Sequence, residues 1–194
     1  MSDHLSSRDI IIEAAAELIR THGVAGMSIS RLIKASGTST GAIYHYFSSK
    51  EDIVVEVARQ AIAWPTGALE AWRGAPASPS ALATYAMDAV SAAPEIGALL
   101  AQLAAASATD DALGRRLRAE FAVLGRARDA TVSAWAAEHG IPAEAVAGHG
   151  QLMSGLTLGY ISQKLLVAGF DEVRYRAEAA AVLEVKIPQD GEIP

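Results

Sequence analysis

The stretch TSTGAIYHYFSSKE, residues 38–51, sets three aromatic rings and a histidine in four consecutive positions, Tyr44 to Phe47. Gly41 stands just before them and Lys50 just after. At helical spacing Ile43 and Phe47 share one face, while Thr40, Gly41, Tyr44 and His45 form the opposite one. A glycine in a helix interior costs about 1 kcal/mol relative to alanine. What it offers is close approach, because a backbone without a Cβ can lie directly against another surface. Tyrosine hydroxyls and a lysine ammonium donate to phosphate oxygens, and Thr40 is short enough to reach base edges in a major groove. The free amides and partial positive charge of a helix N-terminus also favour an anion. The chemistry these residues suit is non-covalent recognition of a nucleic acid. They equally suit a solvated helix whose rings pack on their neighbours, and the residue types alone leave both readings open.

Such a face must be held by its flanking elements, and these read as helices. Alanine, leucine, glutamate and arginine dominate, and no segment alternates apolar and polar residues for long. A first helix is expected from Ser7 to His22, capped by Ser6 with Asp9 and stopped at Gly23. A second begins after Ser28, buries Ile29, Leu32 and Ile33, and ends at Gly37. A third runs from Ser39 to Phe47. Only Gly37 and Thr38 separate the last two, so they must cross steeply, as a helix-turn-helix does. Ser48 and Glu51 read as a capping box that opens a fourth helix, which Pro65 ends after Trp64. Dense punctuation follows (Pro65, Gly67, Gly74, Pro76, Pro79), with room for one short helix between Gly67 and Trp72. Further helices are expected at about 80–92, 95–106, 111–138, 143–168 and 172–186, then a frayed tail from Pro188. The fold class is all-α. Residues 1–50 form a three-helix head, 51–64 a connecting helix, and 65–194 a larger helical domain.

Composition narrows the function classes. Of 194 residues 51% are hydrophobic and 20% charged, enough for a substantial core and too apolar for global disorder. Cysteine is absent, which removes disulfides and Cys-ligated metal centres and suits a reducing cytoplasm. The acids Asp3, Asp9 and Glu13 near the start do not resemble a secretory leader, and no apolar run approaches a membrane span. The expected location is the cytoplasm, with no membrane partner. Net charge is −6, yet residues 1–50 carry +1 and residues 18–50 hold no acid at all. That part of the chain tolerates phosphate and the remainder does not.

Catalytic and metal motifs are missing. There is no HExxH, no Glu-x-x-His pair and no phosphate-cradling glycine loop, and His4, His22, His45, His139 and His149 form no i,i+4 pair. The expectation is a protein that is not an enzyme and uses no cofactor or metal.

From Ile11 to Ile53 the chain, IIEAAAELIRTHGVAGMSISRLIKASGTSTGAIYHYFSSKEDI, resembles the N-terminal DNA-binding region of the TetR family of bacterial transcriptional regulators. The resemblance rests on the apolar first helix ending at Gly23, Ser28-Ile29, Ala35-x-Gly37, Ser39-x-Gly41, the aromatic run to Phe47, and Ser49-Lys50-Glu51. It covers about a quarter of the chain. It implies that Ser39, Tyr44, Tyr46 and Lys50 contact phosphates of a double-stranded operator. Thr40, Gly41, Ala42 and His45 would then lie near the bases, with Ser30 and Arg31 also close to DNA. Three positions depart from the family pattern: Arg31 replaces a frequent acid, Thr38 a frequent valine, and His45-Tyr46 reverses a common order.

The same resemblance implies a C-terminal domain that dimerises and encloses a small effector, and hence a ligand-responsive regulator, most simply a repressor on a palindromic operator. Independent support for a homodimer comes from Gly148, Leu152, Gly155, Gly159 and Ser162, small or apolar residues at three- to four-residue spacing. Such a stripe lets a second helix approach closely. The same stripe would also serve packing inside one chain. Trp72, Tyr85, Met87, Phe121, Trp135, Met153 and Tyr160 are candidates to line a pocket, whose low charge would suit a mainly apolar effector. The competing class is a helical small-molecule-binding protein or enzyme that keeps a helix-turn-helix.

Overall fold

Apolar residues recur at helical spacing along the chain, and the computed structural model, which describes residues 6–71 and 76–187, contains ten helices and no strand among them. In order these are α1 Ser7–Gly26, α2 Ile29–Ser36, α3 Thr40–Tyr46, α4 Lys50–Ala71, α5 Pro79–Ala92, α6 Pro94–Thr109, α7 Asp111–Glu138, α8 Ala143–Val146, α9 His149–Leu166 and α10 Glu172–Val182. The all-α class expected from the sequence is the class found. The helices divide between two compact units, neither continuous in sequence. One takes the chain up to Ala63 with Glu95–Phe121, and the other takes Trp64–Pro94 with the chain from Ala122 onward. Against the expected segments 1–50, 51–64 and 65–194, the first unit also takes in α6 and the start of α7.

In the first unit α1, α2 and α3 pack mutually around Ile11, Ala15, Ile19, Leu32 and Ile43, all fully buried. Ile53, Val54 and Val57 of α4 enter the same core, as do Leu99 and Leu103 of α6 and Leu113 and Leu117 of α7. Each such side chain contributes about 1.5–3 kcal/mol on burial. Serine caps set the helix starts. Ser6 and Asp9 form a reciprocal capping box, Ser28 accepts from the Arg31 amide, and Ser39 accepts from the Ala42 amide. Gly37 closes α2 in the left-handed region, φ 66°, where a Cβ would be strained.

Gly23, at φ 72° and ψ 168°, breaks α1 where the first helix was expected to stop, and one further turn runs on to Gly26. Other local expectations are corrected. The cap of α4 is Ser49 rather than Ser48, with Asp52 rather than Glu51 three residues on; the Asp52 amide donates to Ser49 Oγ at 3.1 Å. Asp52 is preferred because its carboxylate also meets Arg116, at 2.6 Å. Pro65 does not end α4, which continues to Ala71. A proline inside a helix forfeits about 3 kcal/mol or more, but Ile62 before it and Leu69 after it are both buried and keep the run helical. The short helix expected from Gly67 is thus the last part of α4, and Trp72 lies outside the described residues. Finally, the 143–168 stretch is broken at Gly148, φ 85°, which separates α8 from α9.

In the second unit α5, α9 and α10 pack together, with Leu82, Met87, Met153, Tyr160 and Leu183 buried alongside Val132 and Trp135 of α7. Thr131 is wholly buried and donates to the Leu69 and Ala127 carbonyls, so its hydroxyl is satisfied. Among the described residues no single helix is long and apolar enough to cross a membrane.

Candidate nucleic-acid interface

α3 has only seven residues, so its orientation depends on what anchors it. Ile43 is fully buried and Phe47, the closing residue, is 5% exposed. Thr40, Gly41, Tyr44, His45 and Tyr46 all face outward. The exposures of Tyr44 and Tyr46, 53% and 42%, leave both phenols available to a partner. The His45 ring meets the Tyr46 ring edge-on at 4.8 Å, which restricts both.

Gly41 is informative for what surrounds it. A Cβ built there would meet only Ser39 Oγ at 3.8 Å, an ordinary contact. Its backbone is helical, so unlike Gly37 it needs no left-handed conformation. Nothing within the described chain calls for a glycine at this exposed helical position.

The remaining candidates spread around this face. Ser39 is exposed and Ala42 is half-buried beside it. Ser30 is exposed, its hydroxyl 3.1 Å from that of Ser28. Arg31 is exposed but folded back, donating to the Gly26 carbonyl at 2.9 Å. Lys50 is half-buried at the start of α4. Arg20 is occupied by Glu17 at 2.6 Å, whereas Lys34 and Lys50 make no ion pair among the described residues.

Residues 11–57 match the model of the bacterial regulatory proteins of the tetR family. The match spans about a quarter of the chain. The HTH-type transcriptional repressor AcnR of Corynebacterium glutamicum is 40% identical over 55 residues, 28% of this chain and 29% of that protein. The chain therefore matches less than a third of the length of this curated relative. Solved structures match far more of it. The transcriptional regulator FadR of Bacillus subtilis, in complex with stearoyl-CoA, aligns with TM-score 0.72 over 90% of this chain and 96% of its own, at 16% identity. A TetR-family transcriptional regulator from Agrobacterium tumefaciens aligns with TM-score 0.67 over 91% and 95%, at 20% identity. At these identities the likeness is one of fold, and it covers both units.

Behind the TetR-type α3, α4 bears an ionic cluster that no short motif announces. Glu56, 8% exposed, pairs with Arg8 at 2.8 Å and Arg59 at 2.5 Å; Arg59 also pairs with Glu120 at 2.7 Å. The Arg116 hydrogen bond, then that of Ser49, holds the Asp52 carboxyl below its usual range. Only Glu56–Arg59 has a helical spacing legible in the sequence.

The second unit separates the pocket candidates. Met87, Trp135, Met153 and Tyr160 share its core, while Phe121 packs against the core of the first unit. Tyr85 is half-buried and stacks on Trp64 at 5.8 Å. Trp72 is outside the described residues. Tyr160 is fully buried, its hydroxyl 2.5 Å from Ser91 and from Glu172, and Lys164 meets the same Glu172 at 3.0 Å. Hydrogen bonds from Tyr160 and then Lys164 draw the Glu172 carboxyl down.

The α9 stripe divides as well. Leu152, Gly155 and Ser162 are exposed, and a Cβ at Gly155 would meet nothing within 4 Å. Gly159 turns inward, where a Cβ would come within 2.7 Å of Tyr175 Oη. Gly148 forms the left-handed turn before α9. Leu158, which the spacing overlooked, extends the exposed face at 49%. Among the described residues no group of three or more His, Asp or Glu is placed to hold a metal ion.

Proposed function

We propose that this chain is a cytoplasmic transcriptional repressor that binds a palindromic double-stranded operator as a homodimer and is released by a small, mainly apolar effector. Gly41 carries the reading: an exposed helical glycine that the chain itself has no need of, beside Thr40, Tyr44 and His45, fits a surface pressed into a groove. Ser39, Tyr44, Tyr46 and Lys50 hold phosphates, while Thr40, Gly41, Ala42 and His45 lie along the bases. Ser30 stands at the flank. Arg31 must first leave the Gly26 carbonyl, so it contributes least.

Residues 1–50 serve as the reading head, 51–64 as the connection, and 65–194 as the regulatory and dimerising part. The exposed α9 residues Leu152, Gly155, Leu158 and Ser162 support a self-complementary contact. Two α3 helices then enter successive major grooves about one helical turn apart, roughly 34 Å. The apolar core of the second unit, together with the acyl-CoA bound to the structurally similar FadR, makes a long-chain acyl thioester the first effector to try.

The test is a gel shift of the full chain on DNA upstream of its own gene. The expected result is a saturable complex that depends on both palindrome halves, weakens steeply with salt, and dissociates with stearoyl-CoA. The competing class, a helical ligand-binding protein or enzyme with a relict helix-turn-helix, predicts no saturable complex. A saturable complex indifferent to stearoyl-CoA keeps the DNA reading and removes that effector.

A further inference from the structure

Glu56 is a buried carboxylate shared by two arginines from different helices. Arg8, in the first turn of α1, reaches one oxygen at 2.8 Å, and Arg59, one turn along α4, reaches the other at 2.5 Å. The Arg8 guanidinium also lies over the Phe47 ring, 5.6 Å from its centroid. Phe47 is the residue that closes α3. Arg59 continues outward: its Nη2 and Nε take both oxygens of Glu120 on α7, at 2.7 and 3.2 Å. One turn earlier on α7, Arg116 holds Asp52 at 2.6 Å, and the Asp52 amide is bound by Ser49, two residues past Phe47. Apart from Glu120 and Ser49, these side chains line an open groove of about 260 Å³ together with Tyr46 and Ser48.

We infer that Glu56 is a positioning residue for DNA recognition, through which α7 sets the placement of the C-terminal end of α3. The inference rests on the DNA-binding reading above. A seven-residue helix cannot fix its own direction, and Ile43 pins only one point of it. The second point is Phe47, whose ring is flanked by Arg8, and Arg8 is held where it is by Glu56. Paired guanidinium forks are planar and directional, so they fix angle as well as distance. Without the Glu56 charge, Arg8 loses its carboxylate while Arg59 keeps only Glu120, and Arg8 is free to leave the ring. Without the Glu120 charge, Glu56 keeps both arginines but loses the link to α7. The two changes thus loosen α3 to different degrees. Tyr44 and Tyr46, which sit on its last turn, lose their aim with it.

Hydrogen exchange of the full chain tests this without any effector. Exchange of the α3 amides should accelerate about tenfold in Glu56→Gln and about threefold in Glu120→Gln, sizes typical of coupled ionic pairs. The α9 amides should be unaffected. Glu120→Asp, which retains the charge, should restore most of the protection. Should Glu56→Gln fail to fold, Glu120→Gln carries the test, because its side chain is already 19% exposed. Unchanged α3 exchange in Glu120→Gln, or equal acceleration in α3 and α9, overturns the inference. On operator DNA the variants should weaken binding in the same order. A wild-type chain that forms no saturable complex defeats the DNA reading and the role given to Glu56 in it, while exchange still decides whether α7 positions α3.

Discussion

The outward face of α3 consists of hydroxyls, rings and a glycine, whereas that of α9 carries four leucines. Leu152, Leu158, Leu165 and Leu166 are each at least 41% exposed, and Val173 of α10 reaches 80%. A face of tyrosine, threonine and histidine is stable in water and gains when phosphate replaces water on its donors. A face of leucines gains only when another apolar surface covers it, by about 25 cal/mol per Å². The two faces therefore suit the two partners proposed above: the first a polyanion, the second a second copy of the chain. The difference also makes the proposed DNA binding compatible with a net charge of −6. The chain's charge is segregated, and the acid-free stretch 18–50 contains α2 and α3.

The largest effects are expected on α9. Leu158→Lys combined with Leu165→Lys puts two charges at the centre of the apolar face. Sedimentation should then report a monomer, and affinity for the full palindrome should fall about a hundredfold, as for loss of central interface anchors. A doubly substituted chain that stays dimeric would move the interface elsewhere. Gly159 sharpens the same point from inside. Gly159→Ala forces a Cβ against Tyr175, whose hydroxyl donates to the Leu156 carbonyl at 2.8 Å. Thermal unfolding should register a loss of about 1–3 kcal/mol, the usual cost of overpacking.

Effects on the α3 side should be smaller and should depend on salt. Lys50→Ala should reduce the slope of log affinity against log salt by about 1, the mark of one lost phosphate contact. Tyr44→Phe should weaken all sequences alike by about fivefold, one hydrogen bond's worth. An unchanged salt slope in Lys50→Ala would take that residue out of the contact set.

What could be read from the sequence was local. Ser28 before α2, Gly37 at its end, and Ile43 with Phe47 as the buried face all follow from interactions spanning four residues or fewer. Pro65 misled because the buried Ile62 and Leu69 outweigh a local helix breaker. Phe121 and Trp135 looked equivalent on α7 yet belong to different cores, since one helix contributes to both units. Gly155 and Gly159 share a spacing but not a direction; Tyr175, distant in sequence, decides which is free. The Arg116 and Glu120 partnerships of α4 were invisible for the same reason, lying 64 and 61 positions away from Asp52 and Arg59.

Gly41→Ala is the smallest change and the one that separates internal from external causes most sharply. At Gly159 an added methyl meets Tyr175; at Gly41 it meets only Ser39 Oγ at 3.8 Å. Alanine at Gly41 should therefore stabilise the isolated chain by about 0.4–1 kcal/mol, by lowering unfolded-state entropy and favouring helix. If DNA presses against this backbone, the same methyl must hold the helix away from the groove and weaken operator binding. The expected pair of results is a raised melting temperature and a lowered affinity from one substitution. Opposite signs cannot come from damage to the fold, because a damaged fold loses both. A variant that melts higher and binds as before would show that nothing approaches Gly41, and the case for α3 as the reading helix would then rest on Tyr44, Tyr46 and Lys50 alone.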